Sequence, residues 1–102
     1  MERIAQLLRI LEIEPRDPFT LYSLGQEHAK RGDHEAAVGF YERCVEADAS
    51  VHYAYFHMAR SLEAMEDEGR AVEVLRAGLD RARADGEMKA ASELSAYLDQ
   101  IG

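Results

Sequence analysis

The chain has 102 residues, 47% of them hydrophobic and 31% charged, which allows one compact domain with a core of its own and excludes a disordered chain. Its net charge of −8, from 20 acidic and 12 basic residues, disfavours a nucleic-acid backbone or an anionic membrane surface as the main partner. It suits a soluble surface, a basic partner or a salt-rich cytoplasm.

Cys44 is the one cysteine and cannot close an intramolecular disulfide, so nothing implies an oxidising compartment. No apolar run approaches the roughly 18 residues of a membrane span. Glu2, Arg3, Arg9 and Glu12 interrupt the N-terminal apolar stretch, which therefore lacks a signal-peptide layout. A cytoplasmic protein is expected.

Residues from Glu2 to about Ile13 read as a helix, with Ile4, Leu7, Leu8 and Leu11 at i, i+3, i+4 and i+7. Ile10 and Ile13 fall outside that stripe. Pro15 and Pro18 bracket a short connection, because proline disfavours helix in the residue before it. Asp17-Pro18 then starts a second helix, the Asp capping free N–H groups and the Pro fitting the first turn. It runs to about Arg31, and Gly32 ends it where a left-handed backbone is tolerated. Asp33 caps a third helix, about His34 to Ala47, with Ala37, Val38, Tyr41, Cys44 and Val45 on its apolar side.

Ser50 is read as the cap of a fourth helix, about Val51 to Met65, carrying Tyr55, Met58, Ala59 and Leu62 inward. Asp67 opens a fifth, about Glu68 to Ala84, that buries Ala71, Val74, Leu75, Gly78 and Leu79. Asp85-Gly86 breaks it. The last helix, about Glu87 to Ile101, shows a stripe of Ala91, Leu94, Leu98 and Ile101, with Glu87, Lys89, Glu93 and Asp99 outside.

Two of these helix pairs are copies of each other. Leu21, Leu24, Gly25, His28, Ala37, Tyr41 and Ala49 return 34 residues later as Tyr55, Met58, Ala59, Leu62, Ala71, Leu75 and Arg83. The spacing resembles the tetratricopeptide repeat, a helix–turn–helix unit of about 34 residues with the pattern W-x2-L-G-x2-Y…A-x3-F…P. The match is in size and polarity: Leu21 or Tyr55 stands for the Trp, and His28 or Leu62 for the aromatic residue.

The resemblance implies an all-α fold, a right-handed α-solenoid of antiparallel helix pairs. Two full units would cover about 18–51 and 52–85, between an N-terminal half-repeat helix and a C-terminal capping helix. As one domain over 1–102, the chain divides into an N-terminal helix at 1–14, repeat 1 at 18–49, repeat 2 at 52–84 and the capping helix at 87–101. Subtracting 34 from Tyr41 and Ala49 gives Leu7 and Pro15, so the first segment takes the place of a second helix without its first. Lengthening the turn before the last helix by two residues puts Ala91, Leu94, Ser95 and Leu98 in the apolar slots, as a terminal cap needs. The small residues are the expected repeat contacts, Gly25 facing Ala37 and Ala59 facing Ala71.

The residues that carry chemistry elsewhere are absent as constellations. The seven glycines stand singly, without a phosphate loop. His34-Glu35 has no following His for a zinc-protease helix, and no His stands three residues after a Glu. His52 and His57, five apart, point about 140° from one another on a helix. Cys44 reads as a small buried hydrophobe rather than a nucleophile. No catalysis, cofactor or metal is expected.

Function is therefore sought on a surface. In stacks of this type the first helix of each repeat lines the concave side. By resemblance the groove-facing residues are Phe19, Tyr22, Ser23, Gln26 and Lys30 in repeat 1, then Tyr53, Phe56, His57, Arg60 and Glu63 in repeat 2. Tyr22 and Phe56 differ by 34, as do Phe19 and Tyr53, so the aromatic pattern is repeated. These rings either pad contacts between repeats or anchor a peptide. Some family members grip a terminal carboxylate with Lys and Asn on these helices. Here Tyr22 and Gln26 replace them and Arg60 alone keeps a suitable charge, so a mixed aromatic and polar groove for another segment fits better. The expected function is capture of a peptide or helical segment of a protein partner. The alternative is self-association through the first helix, whose Ile10 and Ile13 lie off its stripe, giving a homo-oligomer.

Overall fold

The computed structural model describes residues 2–101. Met1, in the expected segment 1–14, and Gly102, the last residue of the expected domain, lie outside the described residues. Six helices follow in order: α1 (Glu2–Ile13), α2 (Pro18–Lys30), α3 (His34–Ala47), α4 (His52–Ala64), α5 (Glu68–Ala84) and α6 (Met88–Ile101). No strand occurs among the described residues.

Each helix start and stop has a local cause. Asp17, Asp33 and Asp67 accept from the backbone N–H groups of Thr20, Ala36 and Arg70, satisfying first-turn donors that have no helical partner. α4 begins without such a bond. Its cap is Val51, and the Ser50 backbone N–H and hydroxyl both donate to Asp48 instead, at 2.9 and 2.6 Å, so Ser50 shapes the turn rather than capping the helix.

Three helices end identically. Gly32, Glu66 and Gly86 take φ of 79°, 61° and 73°. At each, the residue just past the left-handed position donates back into the last turn: Asp33 to His28, Asp67 to Leu62 and Glu87 to Ala82, all at 2.9 Å. This is the Schellman closure, and Glu66 performs it in a conformation that costs an L-residue energy.

α4 begins 34 residues after α2, and α6 begins 36 after α4. The extra length lies in α5, which has 17 residues against 14 in α3, while the turn that follows it is short. The expected lengthening of the turn is thus a lengthening of the helix. Arg81-Ala82-Arg83-Ala84 are strong helix formers, whereas the matching stretch of repeat 1 runs into Asp48 and stops.

Neighbouring helices pack pairwise along the chain. On one side the backbones of α2 and α4, and of α4 and α6, approach closely, whereas α3 and α5 on the other side meet only through side chains, Arg70 donating to Glu42 at 2.9 Å. The molecule is therefore a curved double layer with α2, α4 and α6 inside. Its extents of 37 × 29 × 17 Å are two helix layers thick.

The core runs through both repeats: Leu21, Leu24, Tyr41 and Cys44, then Leu62, Leu75 and Leu94, are fully enclosed. Gly25, Ala37, Ala59 and Ala71 are all buried. The side chain that closes on Gly25 is Tyr41 rather than Ala37, its ring reaching 2.5 Å from where a Cβ would stand. Glycine here makes room for a ring.

α1 approaches α2 alone, burying Leu7 and Leu11. Leu8, expected in the stripe, is 42% exposed, because no helix covers that flank. Ile10 and Ile13 are 47% and 83% exposed. In α6 the buried residues are Ala90, Ala91, Leu94 and Tyr97, while Leu98 and Ile101 are only partly covered.

Candidate protein-binding groove

Aromatic rings join end to end across the inner helices. Tyr22 lies edge-on to His57, with centroids 5.8 Å apart; His57 meets Phe56 at 5.6 Å; and Phe56 meets Tyr97 at 5.0 Å. Tyr41 backs this row from α3, 5.9 Å from Tyr22 and 6.3 Å from His57. The Tyr41–His57 pair is stacked and the others are tilted or T-shaped, arrangements that aromatic rings prefer. Tyr22 packs against the next repeat and Phe56 against α6, and each stays partly exposed.

Two clefts open over this row. The first, of about 470 Å³, lies between α2 and α4 and is lined by Gln26, Lys30, His34, His57, Arg60 and Ser61 among others. The second, of about 700 Å³, lies between α4 and α6, with Phe56, Arg60, Glu63, Glu93, Tyr97 and Gln100 in its walls. They are the same cleft built twice. Gln26 and Lys30 return 34 residues later as Arg60 and Ala64, and His57 and Ser61 return 36 later as Glu93 and Tyr97. Arg60 and Ala64 line both.

Polar groups inside are largely engaged. Gln26 Nε2 donates to the Tyr22 hydroxyl at 3.3 Å, His34 Nδ1 lies 3.0 Å from Ser61 Oγ, and Lys30 makes a loose pair with Glu27 at 3.4 Å. The Tyr97 hydroxyl donates to Glu63, and that of Tyr53 to Glu93 at 2.5 Å, fastening α6 to α4. Arg60 has neither ion pair nor hydrogen bond among the described residues.

Burial, and then the nearby Arg60 guanidinium, push the His57 imidazole below its ordinary range, so it stays neutral near pH 7. Burial, then the hydrogen bond to Glu63, raise the Tyr97 phenol. Burial likewise raises Tyr41 and Tyr22. The tyrosines keep their protons as donors.

Of the ten groove residues expected from the sequence, Gln26, Lys30, Phe56, His57, Arg60 and Glu63 line a cleft, and Ser23 lines neither. Tyr22 belongs to the ring row. Tyr53 lies at the edge, bonded to Glu93, and Phe19 stands apart, 72% exposed. The contribution of α6 was not anticipated: Glu93, Ala96, Tyr97 and Gln100 form one wall of the larger cleft. The signal was the 36-residue offset itself, which makes α6 a third inner helix as well as a cover.

Cys44 is no part of the groove. It is enclosed, its thiol donates to the Pro18 carbonyl at 3.3 Å, and burial pushes it up to about 11. No cluster of three or more metal-capable side chains occurs among the described residues, and none of the described helices is long and apolar enough to cross a membrane.

The helix pairs and their inner cleft define a class. The family model for the tetratricopeptide repeat matches residues 20–51 and 52–85. The chain belongs to the tetratricopeptide repeat family. A tetratricopeptide repeat domain protein from Salinibacter ruber, solved in solution by NMR, is 32% identical with a TM-score of 0.78 over 85% of this chain and 88% of that one. A crystal structure under the same description, from the same organism, gives 32% identity and a TM-score of 0.75 over 83% of this chain and 94% of that one. No curated protein matches. Domains of this family generally mediate protein–protein interaction, and they are typically scaffolds rather than enzymes.

Proposed function

We propose that the chain is a single, non-enzymatic recognition domain that captures an extended or helical segment of a protein partner in the groove of α2, α4 and α6. The observation that carries the reading is the row Tyr22–His57–Phe56–Tyr97, held rigid by ring contacts beneath two open clefts. Rigid aromatic anchors flanked by polar groups are what peptide recognition uses, because little side-chain freedom is lost on binding. The groove residues are Tyr22, Gln26, Lys30, Phe56, His57, Arg60 and Glu63, joined by Glu93 and Tyr97 from α6. Phe19 and Tyr53 flank it. An acidic surface supports a protein rather than a nucleic-acid partner and fits a cytoplasmic location.

The test is selection of displayed random peptides on the wild-type protein, followed by titration of the selected sequences. Truncation of Phe56 to Ala should weaken binding by about 2 kcal/mol, with the helical content unchanged. Selected peptides that bind the Phe56→Ala and Arg60→Ala variants as tightly as wild type would place recognition elsewhere.

A second reading rests on α1. Ile10 and Ile13 share one exposed flank of α1, while the exposed Leu8 lies on the other side of the buried Leu7 and Leu11. Pairing of two copies through this flank is compatible with an open groove. Sedimentation of the wild type as a dimer and of Ile10→Glu as a monomer supports it; a monomer in both rejects it.

A further inference from the structure

The two clefts share their construction and differ in charge. The cleft between α2 and α4 is lined by Lys30 and Arg60 and by no carboxylate. In the cleft between α4 and α6 the matching positions lose one positive charge and gain two negative ones: Ala64 stands where Lys30 stood, Glu63 where Ala29 stood, and Glu93 where His57 stood. Arg60 sits on the shared rim. Each of the two carboxylates accepts a tyrosine hydroxyl through Oε1 only, which leaves its second oxygen available to a ligand. The Arg60 guanidinium, without a partner of its own, presents a planar set of donors suited to a carboxylate. Phe56, in the wall of the α4/α6 cleft, and His57, in the wall of the α2/α4 cleft, meet with ring centroids 5.6 Å apart.

From this we infer that the groove selects a bipolar segment: an acidic side chain over the α2/α4 cleft, a basic side chain over the α4/α6 cleft, and an apolar residue between them on Phe56. The inference rests on the groove reading and adds to it the composition and direction of the ligand. Uniformly acidic segments would meet Glu63 and Glu93, and uniformly basic ones would meet Lys30 and Arg60. Electrostatic complementarity of this sort fixes register and rejects wrong partners more than it adds affinity.

The probe is a set of short acetylated, amidated peptides carrying a central Leu, so that no terminal charge takes part. Asp and Arg flank the Leu at varied spacing in both orders, with all-acidic, all-basic and uncharged counterparts. One order of Asp and Arg should bind the wild-type protein about tenfold tighter than the uncharged peptide, a margin that shrinks in high salt. The exposed double reversal Lys30→Glu with Glu93→Lys should swap the preferred order while the helical spectrum stays the same. Equal binding of all charge classes, or an order preference unmoved by the reversal, overturns the polarity and leaves the groove standing. Binding by none of them overturns the polarity together with the groove.

Discussion

Tyr55 lies so close to Gly78 that a Cβ added to the glycine would stand 2.6 Å from the Cβ of the tyrosine. The corresponding positions of the first repeat hold Leu21 and Cys44, both fully buried. The larger residue has grown on α4 and the smaller one has shrunk on α5. A second pair of positions shows the trade in the other direction: Gly25 admits the Tyr41 ring, and its counterparts are Ala59 and Leu75. What the repeats conserve is the volume of a contact between two helices, since an interior packed to crystal-like density leaves no slack.

Gly78→Ala and Gly25→Ala should each destabilise the protein by about 1–3 kcal/mol. Overpacking outweighs the helix preference of Ala, which favours it by about 1 kcal/mol. The cost belongs to the pair. Tyr55→Leu combined with Gly78→Cys restores the first repeat's combination and should recover most of what Gly78→Cys alone loses, a coupling of about 1 kcal/mol or more in urea unfolding. Additive losses would show that the ring is not what the glycine accommodates.

Glu66 occupies the left-handed closing position that glycine holds at residues 32 and 86. Replacing Glu66 by Gly relieves the backbone and should raise stability by about 0.5–1 kcal/mol, seen as a higher thermal midpoint. Gly32→Ala and Gly86→Ala should move the midpoint the opposite way.

The helix count, the 34-residue register and the caps at Asp17, Asp33 and Asp67 were legible in the sequence because each depends on neighbours a few residues away. Gln26, Lys30, His57 and Arg60 of the cleft between α2 and α4 were expected from the family resemblance, whereas Ala29, His34, Tyr41, Ser61 and Ala64 were not. Two features were hidden. Gly25 meets Tyr41, a relation set by how two helices cross rather than by spacing along either one. Tyr97 completes an i, i+3, i+4, i+7 face with Leu94, Leu98 and Ile101, but its register position is that of Ser61, and only the packing of α6 on α4 brings its ring against Phe56 and its hydroxyl to Glu63. Ser50, a good cap by type, lost that role because α4 starts one residue further on, with Val51 at the cap position, and Ser50 donates to Asp48 in the turn before it.

Cys44 should be nearly silent to thiol reagents in the native protein. Its thiolate is disfavoured by burial first and then by Asp48 and Asp17, and it has no exposed surface. Labelling at pH 8 should follow the opening of the fold and accelerate in parallel with urea-induced unfolding. Fast labelling without unfolding would mean that α2 and α3 separate readily.

Asp85 accepts from His52 at 2.7 Å and from Arg81 at 2.9 Å, and these bonds, His52 foremost, hold its carboxyl below the ordinary 3.8. Asp48 is lowered too, chiefly by its two bonds from Ser50. A carboxyl that is more acidic folded than unfolded stabilises the fold fully above the unfolded value, and the contribution is lost as pH falls through the folded one. Stability should therefore decline below about pH 4, and Asp85→Asn should flatten that acid limb. An unchanged limb in the variant would assign the acid sensitivity to other groups.

Recognition by the inner helices is tested most directly by chemical-shift mapping of the wild-type protein with a peptide taken from the displayed-library selection. The shifts are expected to concentrate at Tyr22, His57, Phe56, Arg60 and Tyr97 and to fade across α1, α3 and α5. Shifts confined to the outer helices, with the aromatic row undisturbed at saturation, would contradict the groove.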